Sequence, residues 1–195
     1  MAIKQFSNYD KTQAFDGDFE TLPLGGHICV IKGTKIENYD WGDMLVLALD
    51  IDEGEHKGFY QRQYDRRKAD KPDAKWPGTY RQGIPKDDNS DKDNKTKGFF
   101  KGMITCIEKS NPGYTWNWDE RTLAGKKIGG IFGQEEFETQ AGEVKLATKC
   151  FYLRSVDAIR KGVEVPPVKR LKKEPKDISG APFPDDNDTP LPFDL

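Results

Sequence analysis

The sequence predicts a mainly β fold of five strands, with one main helix between the third and fourth strands. Three patterns carry that expectation. Leu45, Leu47, Leu49 and Ile51 line one face of a strand over Met44 to Asp52, in clean period-two alternation. Phe99, Phe100, Met103, Ile104 and Ile107 form one apolar stripe in the only long helical pattern, Thr96 to Ser110. Gly129, Gly130 and Gly133 lie in a strand over Lys126 to Gly133, where glycine permits bulges, sharp curvature or close backbone approach.

Taken in order, residues 1–22 are polar with scattered aromatics and predict an irregular lead-in. His27 to Ile36 reads as a first strand. Ile28, Val30 and Ile36 share one face and Cys29 and Ile31 the other, as in a strongly curved strand. Glu37 to Gly42 is turn-like and carries Tyr39 and Trp41 at a hairpin tip. After Met44 to Asp52, a polar turn leads to a third predicted strand, Gly58 to Arg67, completing an antiparallel meander. Lys68 to Lys95 is expected as a long polar insertion, and loops of that length are usually functional or disordered. Asn111-Pro112-Gly113 stops the helix, and Tyr114, Trp116 and Trp118 follow as a hydrophobic clasp. The fourth strand continues through Gln134 to Glu138, and Thr139 to Glu143 turns into a fifth, Val144 to Arg154. Ser155 is a predicted N-cap, with Asp157 in the first turn and Gly162 beyond the end. From Val165 onward the chain is expected to lose order. This divides it into a domain over 1–165 and a tail over 166–195, a basic cluster followed by an acidic tip.

Composition narrows the function. The 195 residues are 33% charged and 35% hydrophobic, more polar than a typical globular domain. No window approaches the run of about 18 apolar residues that spans a bilayer. The N-terminus has no apolar core of a secretory signal, so the expected location is cytoplasmic, without a membrane partner. Cys29, Cys106 and Cys150 are widely spaced in apolar surroundings and fit small buried hydrophobes. With only His27 and His56 beside them, neither a metal nor another cofactor is expected. The net charge is −2, but the last sixteen residues carry four acids and no Lys or Arg, leaving +2 on residues 1–179. A mildly basic body with an acidic appendage suits nucleic-acid contact.

The candidate binding face comes from Gly58 to Arg67. As a strand it would place Tyr60, Arg62, Tyr64 and Arg66 on one side. Rings stack on unpaired bases while guanidinium groups meet phosphates. The same alternation also fits buried tyrosines flanked by arginines that snorkel to solvent. Three strands, a helix and two strands is the element order of an OB-fold, whose groove lies over strands two and three between the 1–2 and 4–5 loops. That frame adds Tyr39 and Trp41, the Trp76, Tyr80 and Arg81 stretch, and Lys145, Lys149 and Phe151 as nucleic-acid-binding candidates.

The C-terminal run Asp185-Asp186-Asn187-Asp188-Thr189-Pro190-Leu191-Pro192-Phe193-Asp194-Leu195 resembles the acidic tip of bacterial and phage replicative single-stranded DNA-binding proteins. Here Asp194 and Leu195 follow the phenylalanine. Tyr60 to Arg67, Trp76-Pro77-Gly78 and Asn111 to Tyr114 also look like the single-stranded DNA-binding proteins of phages of Gram-positive bacteria. The resemblance implies a non-enzymatic protein of replication, recombination or repair in a bacterial host cell. It implies that Asp185, Asp186, Asp188 and Phe193 dock replication or recombination partners, and that the tail competes with DNA for the groove. A homo-oligomer is compatible with it. The alternative is a metal-dependent nuclease or junction resolvase using Asp50, Asp52, Glu53 and Glu55, or Glu135 and Glu136 with Lys145.

Overall fold

The alternation at Leu45 to Ile51 sets the centre of the structure. In this computed structural model, which describes residues 4, 7, 9–11 and 20–171, all four of those side chains are buried. Their strand, β2 (Gly42–Ile51), forms a hairpin with β1 (Gly25–Tyr39) through the two loop residues Asp40 and Trp41. Helix α1 (Phe59–Asp70), strand β3 (Thr79–Gly83), helix α2 (Asp91–Ser110), strands β4 (Lys127–Glu138) and β5 (Val144–Arg154) and the short helix α3 (Val156–Arg160) follow. The five strands form one antiparallel sheet in the order β3-β2-β1-β4-β5. The sheet is mainly β with flanking helices, as expected, but it is not closed into a barrel. Strands β3 and β5 are its two edges.

Strand β1 serves both halves of the sheet. Gly25–Val30 pairs with β4 and Cys29–Tyr39 with β2, with an irregularity of register between Ile31 and Gly33. Such a bulge bends a strand and changes its facing, which explains apolar residues on both sides. Cys29 and Ile31 lie in the core, whereas Ile36 is exposed.

The predicted third strand is instead helix α1. Gly58 enters it with φ 73, a left-handed value that glycine tolerates. Arg, Gln and Lys, abundant in this stretch, are good helix formers, and Gln61 bonds Asp65 across one turn. The true third strand, β3, lies within the stretch expected to be an insertion. Its pattern is short: Gln82 turns inward and is buried, and Arg81 is exposed.

Helix α2 begins five residues before the predicted start, at an N-cap: Ser90 Oγ accepts from Asp93 N at 3.1 Å. Met103, Ile104 and Ile107 are buried and Phe100 packs against the core. Phe99, expected on this stripe, is 70% exposed, because it lies one residue off the 100, 103, 104, 107 spacing. Asn111 ties the helix end to β4, donating to Ile107 O and Lys127 O and accepting from Lys127 N. Strand β5 and the Ser155 cap of α3 match the sequence expectation.

Beyond α3 the chain returns to the sheet. Lys169 N donates to Gln134 O and Lys169 O accepts from Glu136 N, both at 2.9 Å. This one-residue parallel bridge occupies the β4 edge where β1 has ended. Among the described residues, no helix is long and apolar enough to cross a membrane.

Candidate nucleic-acid interface

The β1–β2 hairpin presents an aromatic pair. The Tyr39 and Trp41 rings stack at 5.0 Å with 13° between planes, and are 43% and 57% exposed. Register places Lys35, Val46 and Arg81 side by side across β1, β2 and β3. Glu37, two residues along β1, gathers this row. Its carboxylate pairs with Lys35, accepts from the Tyr39 hydroxyl at 2.7 Å and meets Arg81 Nε at 3.3 Å. Hydrogen bonds from Lys35 and then Tyr39, with Arg81 adding less, hold the Glu37 carboxyl down at about 2.

The second component is the seam between the two sheet edges. A groove of about 330 Å³ separates Thr79, Tyr80 and Arg81 of β3 from Thr148 to Phe151 of β5. Leu49, Tyr60 and Phe132 also line it. Tyr80 is partly buried, and desolvation pushes its hydroxyl up to about 12. Gly133 has no side chain to obstruct the Phe151 ring, which lies where a Cβ would stand. Lys169 Nζ sits 3.8 Å from the centroid of that ring, a cation–π contact. Lys149 pairs with Glu135, whose carboxyl is lowered chiefly by that hydrogen bond. Three cations, Arg81, Lys149 and Lys169, therefore line this seam against one carboxylate, Glu135.

The helical geometry of α1 takes apart the face expected at Tyr60 to Arg66. Successive residues in a helix turn by about 100°, so a two-residue spacing separates rings from guanidinium groups. Tyr60 is 6% exposed and packs on Phe59 and Phe132; it is a core residue whose hydroxyl pKa is raised by burial. Tyr64 packs on Trp76 at 5.2 Å, with Lys68 over its ring. Trp76 donates its indole N–H to Leu49 O at 2.9 Å and is held against the core. Arg62 pairs with Glu20 and donates to Lys57 O, while Arg66 is exposed on the helix. Lys145 sits at the β4–β5 hairpin, paired with Glu143 at 2.9 Å.

Of the predicted residues, the structure brings Tyr80, Arg81, Lys149 and Phe151 together at the seam, with Tyr60 beneath. Tyr39 and Trp41 lie on the hairpin and connect to Arg81 through Glu37. Lys35 and Lys169 were not singled out from sequence. Lys35 could have been found by its alternation with Glu37 and Tyr39. Lys169 had no local signal, since its position depends on the return to β4. Asp185, Asp186, Asp188 and Phe193 lie outside the described residues.

Of the carboxylates considered for a nuclease, Asp50, Asp52, Glu53, Glu135 and Glu136 have other partners. Asp50 is buried, and its Oδ1 accepts from Ile51 N and Tyr60 N at 2.9 Å each. Asp52 and Glu53 share Lys127, with Arg160 also on Glu53, and Lys127 is the main cause of their lowered pKa values. Among the described residues, no group of three or more His, Cys, Asp or Glu is placed to hold a metal ion. Cys29 and Cys150 are thiols pushed up by burial.

The chain matches no known protein-family description, and no curated protein is similar enough to it in sequence to count as a relative.

Proposed function

We propose that this is a sequence-tolerant single-stranded DNA-binding protein of replication, recombination or repair, acting without catalysis. The observation that carries the proposal is the row of rings and cations from the exposed Tyr39–Trp41 stack through Lys35 and Arg81 to Lys149, the half-buried Phe151 and Lys169. Unpaired bases offer a π-face whatever their identity, so Trp41 and Tyr39 can stack on them without reading sequence. Phosphates then compete with Glu37 and Glu135 for Arg81 and Lys149. Five antiparallel strands and a principal helix between the third and fourth support the OB-fold reading, although the sheet is open where that fold is a partly open five-stranded barrel. In this reading the Tyr39–Gly42 and 139–143 loops frame the bound strand. The acidic C-terminal segment is proposed to recruit replication or recombination proteins.

The test is fluorescence anisotropy with a labelled oligo-dT and a matched duplex across a salt series. Single-strand affinity should exceed duplex affinity and fall as salt rises, because bound cations displace condensed counterions. Trp41→Ala should weaken single-strand binding by about 5- to 150-fold, the equivalent of about 1–3 kcal/mol for one stacked base. Equal affinity for single strand and duplex at matched salt would refute the proposal.

A further inference from the structure

A second concavity lies away from the β3–β5 seam. It is a cleft of about 790 Å³ between α2 and the end of the β1–β2 hairpin, lined by Ile36, Leu45, Ile84, Phe100, Ile104 and Trp116. Three features mark it as a docking site for an apolar segment. Its α2 wall carries positions 97, 100, 101, 104 and 108, one continuous helix face. The Trp116 indole N–H is buried with no acceptor among the described residues, and leaving such a donor unmade is costly. Trp118, also lining the cleft, is 82% exposed and has φ 66, a left-handed backbone value that is uncommon outside glycine.

We propose that this cleft receives the chain's own Pro190-Leu191-Pro192-Phe193 segment. The chemistry matches. Proline-containing segments are preformed in the extended polyproline conformation, cost little entropy to order, and dock in grooves lined by aromatic rings. Their carbonyls lack intrasegment hydrogen bonds and suit an indole donor. The exposed Trp118 ring, whose centroid lies 6.2 Å from that of Trp116, stands beside it on the same cleft. Four consecutive uncharged residues fit the apolar floor. Asp87, Glu108 and Glu120 also line the cleft, and Lys97 is held by Asp87 and Asp93, so the cation left for the aspartates before the segment is Lys101, which makes no ion pair among the described residues.

Reach is sufficient. The 18 residues 172–189 span up to about 60 Å when extended, and about 24 Å as a flexible coil. A domain of this size is about 30–40 Å across. Tethering gives the segment an effective concentration of about 1 mM, so even a millimolar intrinsic affinity keeps the cleft occupied about half the time. This inference goes beyond the nucleic-acid proposal and does not depend on it.

The four tryptophans are built-in reporters. Trp41 lies at the hairpin tip, Trp76 against Leu49, and Trp116 and Trp118 at the cleft. Indole N–H resonances of the 15N-labelled full chain are assigned by single Trp→Phe variants, and then compared with those of a full-length Leu191→Ala/Phe193→Ala variant. The proposal requires the Trp116 and Trp118 signals to shift while those of Trp41 and Trp76 stay in place, unchanged on tenfold dilution. A shift of Trp41 alone places the tail on the nucleic-acid face and overturns the proposal. No shift anywhere overturns it too. A shift lost on dilution assigns the segment to a second copy and refutes docking within one chain.

Discussion

Truncating Tyr60 to alanine removes a ring that sits between Phe59, at 5.0 Å, and Phe132, at 6.3 Å, and that abuts the backbone of Gly78. At 6% exposure, the site cannot substitute water contact for the lost packing. Large aromatic-to-alanine changes in cores cost about 3–5 kcal/mol, combining lost burial with the cavity left behind. For a domain of about 150 residues, each kcal/mol moves the midpoint by about 2–4 °C, so Tm should fall by about 6–20 °C. The Tyr60 N–Asp50 bond is a backbone donation and survives the change. The assay pairs thermal unfolding by circular dichroism with oligo-dT anisotropy measured at 10–15 °C and expressed per folded molecule. Binding per folded molecule should stay close to wild type. Trp41→Ala gives the opposite pattern: its ring is largely exposed, so Tm moves by no more than about 2 °C while binding drops. If Tyr60→Ala left Tm within about 3 °C of wild type but removed binding, Tyr60 would be a base-stacking residue and its assignment to the core would be wrong.

Glu37→Gln should tighten single-strand binding by about 2- to 5-fold at low salt, because it releases Lys35 and Arg81 from a competing carboxylate. The Glu37 contacts also have an acid limit. Its pKa is depressed from 4.5 to about 2, so their stabilisation is complete above about pH 4.5 and is lost as pH falls toward 2. A carboxyl NMR titration with a midpoint near 4.5 would show that the pairing does not form in solution. Gly78→Ala would set a Cβ against the Tyr60 ring and 2.6 Å from Leu49 O, where the Leu49 N–Gly78 O hydrogen bond holds the backbone. It should cost about 1–3 kcal/mol in urea unfolding. An unchanged urea midpoint would mean that residues 76–79 do not pack as closely as this.

Sequence patterns located the elements whose signal is internal to the element. Leu45 to Ile51 alternates because one face is in the core, and Val144 to Arg154 is bounded by turn residues at one end and the Ser155 cap at the other. Gly58 to Arg67 misled for a physical reason. Its period-two spacing of Tyr and Arg coincides with tyrosines at i and i+4, and only the latter spacing is used. The side chains between them, Gln61 and Gln63, satisfy either pattern. Strand β3 escaped notice because five residues with one buried glutamine give almost no hydrophobic period, and its place at the sheet edge comes from pairing with β2.

The candidate interface was legible in residue types more than in arrangement. Arg81 stood out beside Tyr80 in the sequence, yet its environment is set by Glu37, 44 positions earlier, through a strand between them. Lys149 and Phe151 were visible as alternating positions of β5, but what faces them, β3 across the seam and Lys169 over the ring, follows from the order of the strands and the return of the chain to β4. These long-range pairings also change what the cations can do. A free Arg81 or Lys149 would attract any anion, duplex included. On the proposed function, Arg81 and Lys149, held by Glu37 and Glu135, each give up a carboxylate only to a phosphate that arrives in register. A strand whose bases also stack on Trp41 and Tyr39 supplies that register, whereas a duplex keeps its bases stacked inside. On the proposed function, the acidic partners therefore raise discrimination at some expense in affinity. Glu37→Gln should accordingly bind single strand more tightly but gain still more for duplex, narrowing the ratio between them. A ratio that stayed constant would mean that Glu37 organises the hairpin and has no part in selection.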